Sequence, residues 1–116
     1  MGQESIKLHP GDYLLHEGAE SHEMYYLQSG TLAVFKRKGD KEHQIGTIIS
    51  GELVGEMSFL DKQPRSASVK AMTDSVLVIV PHEKLEKTLE QIPKWFTALL
   101  FTLLERLRKA NARMKI

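Results

Sequence analysis

The 116-residue sequence contains no cysteine. That excludes disulfides, thiolate nucleophiles and cysteine-based metal sites, and it fits a reducing compartment. Charge of one sign is also lacking: 16 Lys and Arg stand against 15 Asp and Glu, a net +1 at neutral pH. No overall field therefore draws the chain to nucleic acid or to a membrane surface. Long apolar runs are missing too. The longest, Trp95 to Leu104, is interrupted by two threonines and is too short to span a bilayer. Residues 1–8 lack the apolar core of a signal peptide. The expectation is a cytoplasmic protein with no membrane insertion and no direct nucleic-acid partner. What is present, 41% hydrophobic and 27% charged residues in a single-domain length, is the composition of a soluble globular fold.

Short strand-like runs punctuated by Gly and Pro fill the first 80 residues. Ser5–Leu8 closes at Pro10-Gly11-Asp12, and Tyr13–His16 ends before Gly18. Glu23–Gln28 and Thr31–Lys38 flank Ser29-Gly30 and read as a tight hairpin. A second hairpin turns at Gly39-Asp40 and returns through Glu42–Ile49, with Gly46 marking a bulge. In the run from Thr31, Leu32 and Val34 face one way, Ala33 and Phe35 the other. Ser66–Met72 alternates, with Ala67, Val69 and Ala71 inward and Ser66, Ser68 and Lys70 outward. Val76–Val80 reads as a fully buried strand stopped by Pro81. The pattern predicts a mainly β fold with C-terminal α structure: an antiparallel, jelly-roll-like β-roll.

Residues 51–68, GELVGEMSFLDKQPRSAS, carry the chemistry. Gly55 allows backbone amides to approach a ligand where a Cβ would clash. Residues 55–60 suit one or two helical turns whose first N–H groups lack intrahelical partners. Arg65 offers a planar fork of donors matched to phosphate oxygens. Glu56 would repel a bare phosphate unless it accepts hydrogen bonds from a hydroxyl. A phosphate and a hydroxyl on one small ligand point to a nucleotide with its ribose. The alternative is a structural Glu56–Arg65 salt bridge beside an ordinary turn.

Gly55-Glu56-Met57-Ser58 followed by Pro64-Arg65-Ser66-Ala67-Ser68 resembles the phosphate-binding cassette of the cyclic nucleotide-binding domain family, the β-roll type of catabolite activators and protein kinase A regulatory subunits. Gly11-Asp12, Gly18, Tyr25, Gly30 and Ser50-Gly51 extend the likeness over roughly residues 5–90. The resemblance implies that Glu56 accepts the ribose 2′-hydroxyl and that Arg65 pairs with the cyclic phosphate. Amides of Gly55, Glu56, Ser66 and Ala67 would complete the phosphate site, with Val54, Met57 and Ser58 in the ligand-binding set. Ser66, directly after the arginine, leans towards cAMP, and cGMP is the second ligand. No metal is implied.

His82–Gln91, with Leu85 and Leu89 four apart, reads as a short amphipathic helix, and Pro93 suits the first turn of a long one. Residues 1–91 then form the roll, cassette and short helix, and 92–116 the long helix. Along that helix Phe96, Leu100, Leu103, Leu107, Ala110 and Met114 recur at heptad spacing, a seam for a homodimer. Trp95 to about Leu100 is expected to lie against the roll. The family resemblance also implies a lid over the base, with Arg106 and Asn111 as candidates. Arg106, Arg108, Lys109, Arg113 and Lys115 read as a solvated face that complements the helix dipole. The whole reads as a sensor, not an enzyme, whose effector lies in another segment or partner.

Two other functions fit the sequence less well. A cupin-like metalloenzyme would need two histidines one residue apart and another in a second motif. His16 and His22 are too widely spaced, and His9, His43 and His82 form no ligand pattern. A ligand-free dimerisation or docking module of the same fold would be expected to lose the glutamate or the arginine, and both are present.

Overall fold

The computed structural model describes residues 4–114, with side chains from 4 to 110. The described chain runs β1 Ser5–Leu8, β2 Tyr13–Leu15, β3 Met24–Ser29, β4 Thr31–Lys38, β5 Lys41–Ile49, β6 Leu53–Val54, α1 Glu56–Asp61, β7 Ser68–Ala71, β8 Ser75–Val80, α2 Glu83–Glu90 and α3 Lys94–Met114. The strands pair antiparallel in two sheets, ordered β1-β8-β3-β6 and β2-β7-β4-β5. Each sheet turns one apolar face inward. Leu27, Val54 and Leu77 come from the first sheet, and Leu15, Leu32, Val69 and Ala71 from the second. Leu27, Leu32 and Leu77 have no exposed surface, and each contributes about 1.5–3 kcal/mol by leaving water. The β-roll with C-terminal helices is the fold that the alternating pattern predicts.

β4 and β5 form the expected hairpin through Gly39-Asp40, pairing Lys38 with Lys41. The register shifts where Gln44 opposes Phe35 and Gly46 opposes Val34, so Ile45 is the extra residue of a bulge beside Gly46. β3 and β4 do not pair, contrary to the hairpin read at Ser29-Gly30. They lie in different sheets, and Gly30 is the corner between them. Its φ is +101°, and a Cβ there would meet Ser75 and the Asp74 carbonyl oxygen. Packing against the turn before β8, not a two-residue loop, explains this glycine.

Three further expectations need correction. Ser68 is buried, not outward, because its Oγ accepts the Glu17 N–H at 2.9 Å. Lys70 is half-buried, its ammonium 4.9 Å from the Phe35 ring centre and 5.3 Å from that of Tyr13. In β8 only Leu77 and Val78 of the apolar run are fully buried. β6, two residues long, was not anticipated. Its alternation is too short to register as a pattern.

The start of α3 departs most. Trp95 is 69% exposed, and Phe96 and Leu99 are also exposed. The face turned to the roll is Leu104 with half-buried Thr97, Leu100, Phe101 and Arg108. At 100° per residue Trp95 lies about 180° around the helix from Leu104. Docking on Leu104 therefore turns Trp95 to solvent. None of the described helices is long and apolar enough to cross a membrane.

Candidate functional site

Two sequence-distant segments grip Arg65. The loop between β2 and β3 holds its backbone: Arg65 N–H donates to Ala19 O at 2.9 Å, and its carbonyl accepts from Gly18 N–H at 2.8 Å. The side chain is 3% exposed. Its Nε donates to Ser21 Oγ at 2.9 Å, Nη2 to the Glu23 carbonyl at 2.7 Å and Nη1 to the Gly55 carbonyl at 3.1 Å. A guanidinium carries five N–H donors, so these three bonds leave two uncommitted. Among the described residues it pairs with no carboxylate, so the Glu56–Arg65 salt bridge is not formed. Burial draws the Arg65 pKa below its ordinary value, while the charges of Tyr25, Glu23 and Glu56 oppose that shift. A dry cation with free donors and only remote countercharge favours a bound anion.

Gly55 makes this packing possible. It enters α1 with φ of 78°, and an added Cβ would sit 2.6 Å from Arg65 Nη1 and 3.3 Å from the Glu23 carbonyl. No side chain caps α1.

Arg65 lines a cleft of about 790 Å³, within the range of small-ligand sites. Val54, Gly55, Glu56, Met57, Ser58, Arg65, Ser66 and Ala67 all line it, so the tertiary fold gathers the whole predicted set. Glu56 is exposed at the cleft, whereas Ser58 is buried. Sequence reasoning missed the opposite wall. Leu15, Val34, Ile45, Ile48 and Val69 make it apolar, and Lys36 adds a cation. The period-2 alternation of β4 could have placed Val34 and Lys36 on one face, though not on the face opposite the cassette. Arg106 is exposed and does not line the cleft. The side chains of Asn111 and Met114 fall outside the described residues.

The rings of His22 and His82 lie 6.2 Å apart, with Phe59 edge-on to His82 at 5.5 Å. Among the described residues no group of three or more His, Asp or Glu side chains could hold a metal ion.

The cassette helix is tied to α3. Arg108 Nε and Nη2 donate to the two Asp61 carboxylate oxygens, each at 2.9 Å. Burial raises the Asp61 pKa, but the hydrogen bonds from Arg108 and the Gln63 N–H, with the Arg108 charge, outweigh it and hold the carboxyl below its ordinary value. A depressed carboxyl stabilises the fold above the unfolded pKa of about 3.9, and that contribution disappears as pH falls through the folded value. Asp61→Asn should therefore melt below wild type at pH 7, with the gap closing as pH falls through the depressed folded value. A gap independent of pH would mean that the pair contributes no charge-dependent stability.

The profile of the cyclic nucleotide-binding domain matches residues 5–92. Over 71 residues, 61% of this chain, the sequence is 41% identical to a cAMP-dependent protein kinase regulatory subunit of Hypocrea atroviridis. Over 106 residues, 89% of the chain, it is 32% identical to potassium/sodium hyperpolarization-activated cyclic nucleotide-gated channel 2 of Mus musculus. The alignments span only 14% and 12% of those two proteins. Among solved structures, an EAL enzyme in its cAMP-bound form superposes with a TM-score of 0.88 at 30% identity, covering 96% of this chain and 30% of that one. The same enzyme is also solved in a cGMP-bound form, with a TM-score of 0.86 at 29% identity, covering 95% of this chain and 30% of that one.

Proposed function

The chain belongs to the cyclic nucleotide-binding domain family, and from that premise we propose that it is a sensor that binds cAMP first and cGMP second and reports occupancy through α3. One observation carries the reading: a buried Arg65 with two uncommitted donors lines the cleft that also holds Glu56. A cyclic phosphodiester supplies one negative charge and acceptor oxygens suited to that fork. Its ribose supplies a hydroxyl donor to Glu56. Backbone amides of Gly55, Glu56, Ser66 and Ala67 complete the phosphate site, Val54, Met57 and Ser58 shape it, and the purine lies on the apolar wall. The bound forms of the structural relative support this ligand class. Ser66 favours cAMP.

The relay runs through the Asp61–Arg108 pair. Ligand ordering the start of α1 shifts its far end, where Asp61 holds α3. Such a shift requires that the ligand prefer one arrangement over the other. Phe96, Leu103, Leu107 and Ala110 remain exposed along α3, with Leu100 half-covered. They form the seam for a second copy, giving a homodimer, with Met114 continuing it. Arg106 reaches the base only when α3 moves or a partner contributes it, and Asn111 is the second candidate for the lid. The domain is regulatory rather than catalytic, acts in the cytoplasm and controls an effector outside residues 1–116.

Calorimetry with cAMP, cGMP and linear 5′-AMP tests the reading. Saturable binding of the cyclic ligands in preference to the linear one is expected. No heat with either cyclic nucleotide would overturn the reading and leave a docking module. Glu56→Gln should weaken cAMP about tenfold or more, the loss of a charge-assisted hydrogen bond, and leave 2′-deoxy-cAMP unchanged. Equal losses for both ligands would remove Glu56 from the ribose.

A further inference from the structure

Lys36 is a second cation in the cleft, and the cassette motif does not include it. It shares a face of β4 with Val34, two residues away, and both line the cleft. The wall assigned above to the purine therefore has an ammonium in its lining. Lys36 Nζ donates to the Ser66 carbonyl at 2.6 Å and lies 3.7 Å from a Glu17 carboxylate oxygen. Glu17 is in turn fixed, since its other oxygen accepts the Arg37 N–H at 2.9 Å and its own N–H donates to Ser68 Oγ at 2.9 Å. These contacts hold the ammonium beside Ser66 and occupy at most two of its three N–H groups. The third is available to a ligand.

Resting on the cyclic nucleotide reading, we propose that Lys36 is a specificity-determining residue that reads the six-position of the purine and admits 6-oxo bases, so that cGMP competes with cAMP. An ammonium offers only donors. Guanine presents O6 and N7, both acceptors, on one edge. Adenine places the N6 amine, itself a donor, where guanine has O6. Beside Lys36 the adenine amine meets a like group, whereas the guanine oxygen gains a charge-assisted bond.

Cyclic IMP isolates the six-position, because it keeps O6 and, like cAMP, lacks the 2-amino group of guanine. Calorimetry on the wild-type chain should show cIMP binding at least as tightly as cAMP. Lys36→Met should weaken cGMP and cIMP about tenfold more than it weakens cAMP, whereas Lys36→Arg should keep the wild-type order. Three outcomes would overturn the proposal: wild-type cIMP tenfold weaker than cAMP, equal losses of all three ligands in a folded Lys36→Met, or no loss of any. Equal losses would assign Lys36 to the phosphate or to holding the Ser66 turn. If Lys36→Met does not fold, the wild-type cIMP-to-cAMP ratio still decides. Failure of wild type to bind any cyclic nucleotide would instead sink the underlying reading, so the two failures are distinguishable.

Discussion

Arg65→Ala will lose most of its affinity for cAMP while keeping a cooperative melt. The substitution removes the two free donors and the only cation the cassette itself contributes to the cleft lining. The ligand phosphate would then be desolvated beside Glu56 with backbone amides but no cation on that side. Truncating one member of a buried charged pair costs about 2–5 kcal/mol, or roughly 30- to 4,000-fold in Kd. Stability will fall as well, because Ser21 Oγ and the carbonyls of Glu23 and Gly55 each lose a donor. Loss of the buried cation's desolvation cost offsets part of that. Arg65→Lys separates charge from geometry. It keeps the point charge but cannot reach three acceptors and a phosphate together, so its affinity should fall between wild type and alanine. A folded Arg65→Ala protein with wild-type affinity would end the assignment.

Gly30→Ala will cost the fold about 2–5 kcal/mol, the sum of a left-handed backbone penalty and an overpacking term. At φ of +101° an L-residue is strained, and the new methyl group would drive into Ser75 and the Asp74 carbonyl. Backbone there cannot yield without moving β8, which pairs with both β1 and β3. Gly39→Ala is the internal control. Its φ is +68°, and nothing lies within 4 Å of the added carbon, so only the backbone penalty of about 1–2 kcal/mol applies. Urea unfolding of the two variants should therefore place Gly30→Ala clearly below Gly39→Ala. Equal midpoints would show that the corner relaxes freely and that close packing does not fix it. A loss of several kcal/mol is a large part of a typical domain stability of about 5–15 kcal/mol.

Much of the site was legible because it is contiguous. Gly55, Glu56 and Arg65 lie within eleven residues of each other, and each residue type states its chemistry locally: conformational freedom, an acceptor, a fork of donors. All eight predicted ligand-binding residues line one cleft for that reason. What holds Arg65 was not legible. Ser21 and Glu23 lie 44 and 42 residues from it in the chain, and nothing in their neighbourhood marks a serine hydroxyl or a backbone carbonyl as an arginine partner. Lys36 was hidden similarly, as one cation in a basic run at the end of β4.

The sequence by itself determined where most strands, turns and helices fall, and that a glycine, a carboxylate and a guanidinium share one loop. Alternation, punctuation and capping act between neighbours in the chain, so they can be read from neighbours. Only the tertiary structure decided that β3 and β4 part at Gly30 into different sheets, that α3 docks on Leu104 and turns Trp95 outward, and that a lysine from β4 joins the cleft. Alternation names the buried face of a strand, and helical period names a stripe, but neither names what will cover it. That choice is made by burial and hydrogen bonding across dozens of residues, when all the faces compete for one core.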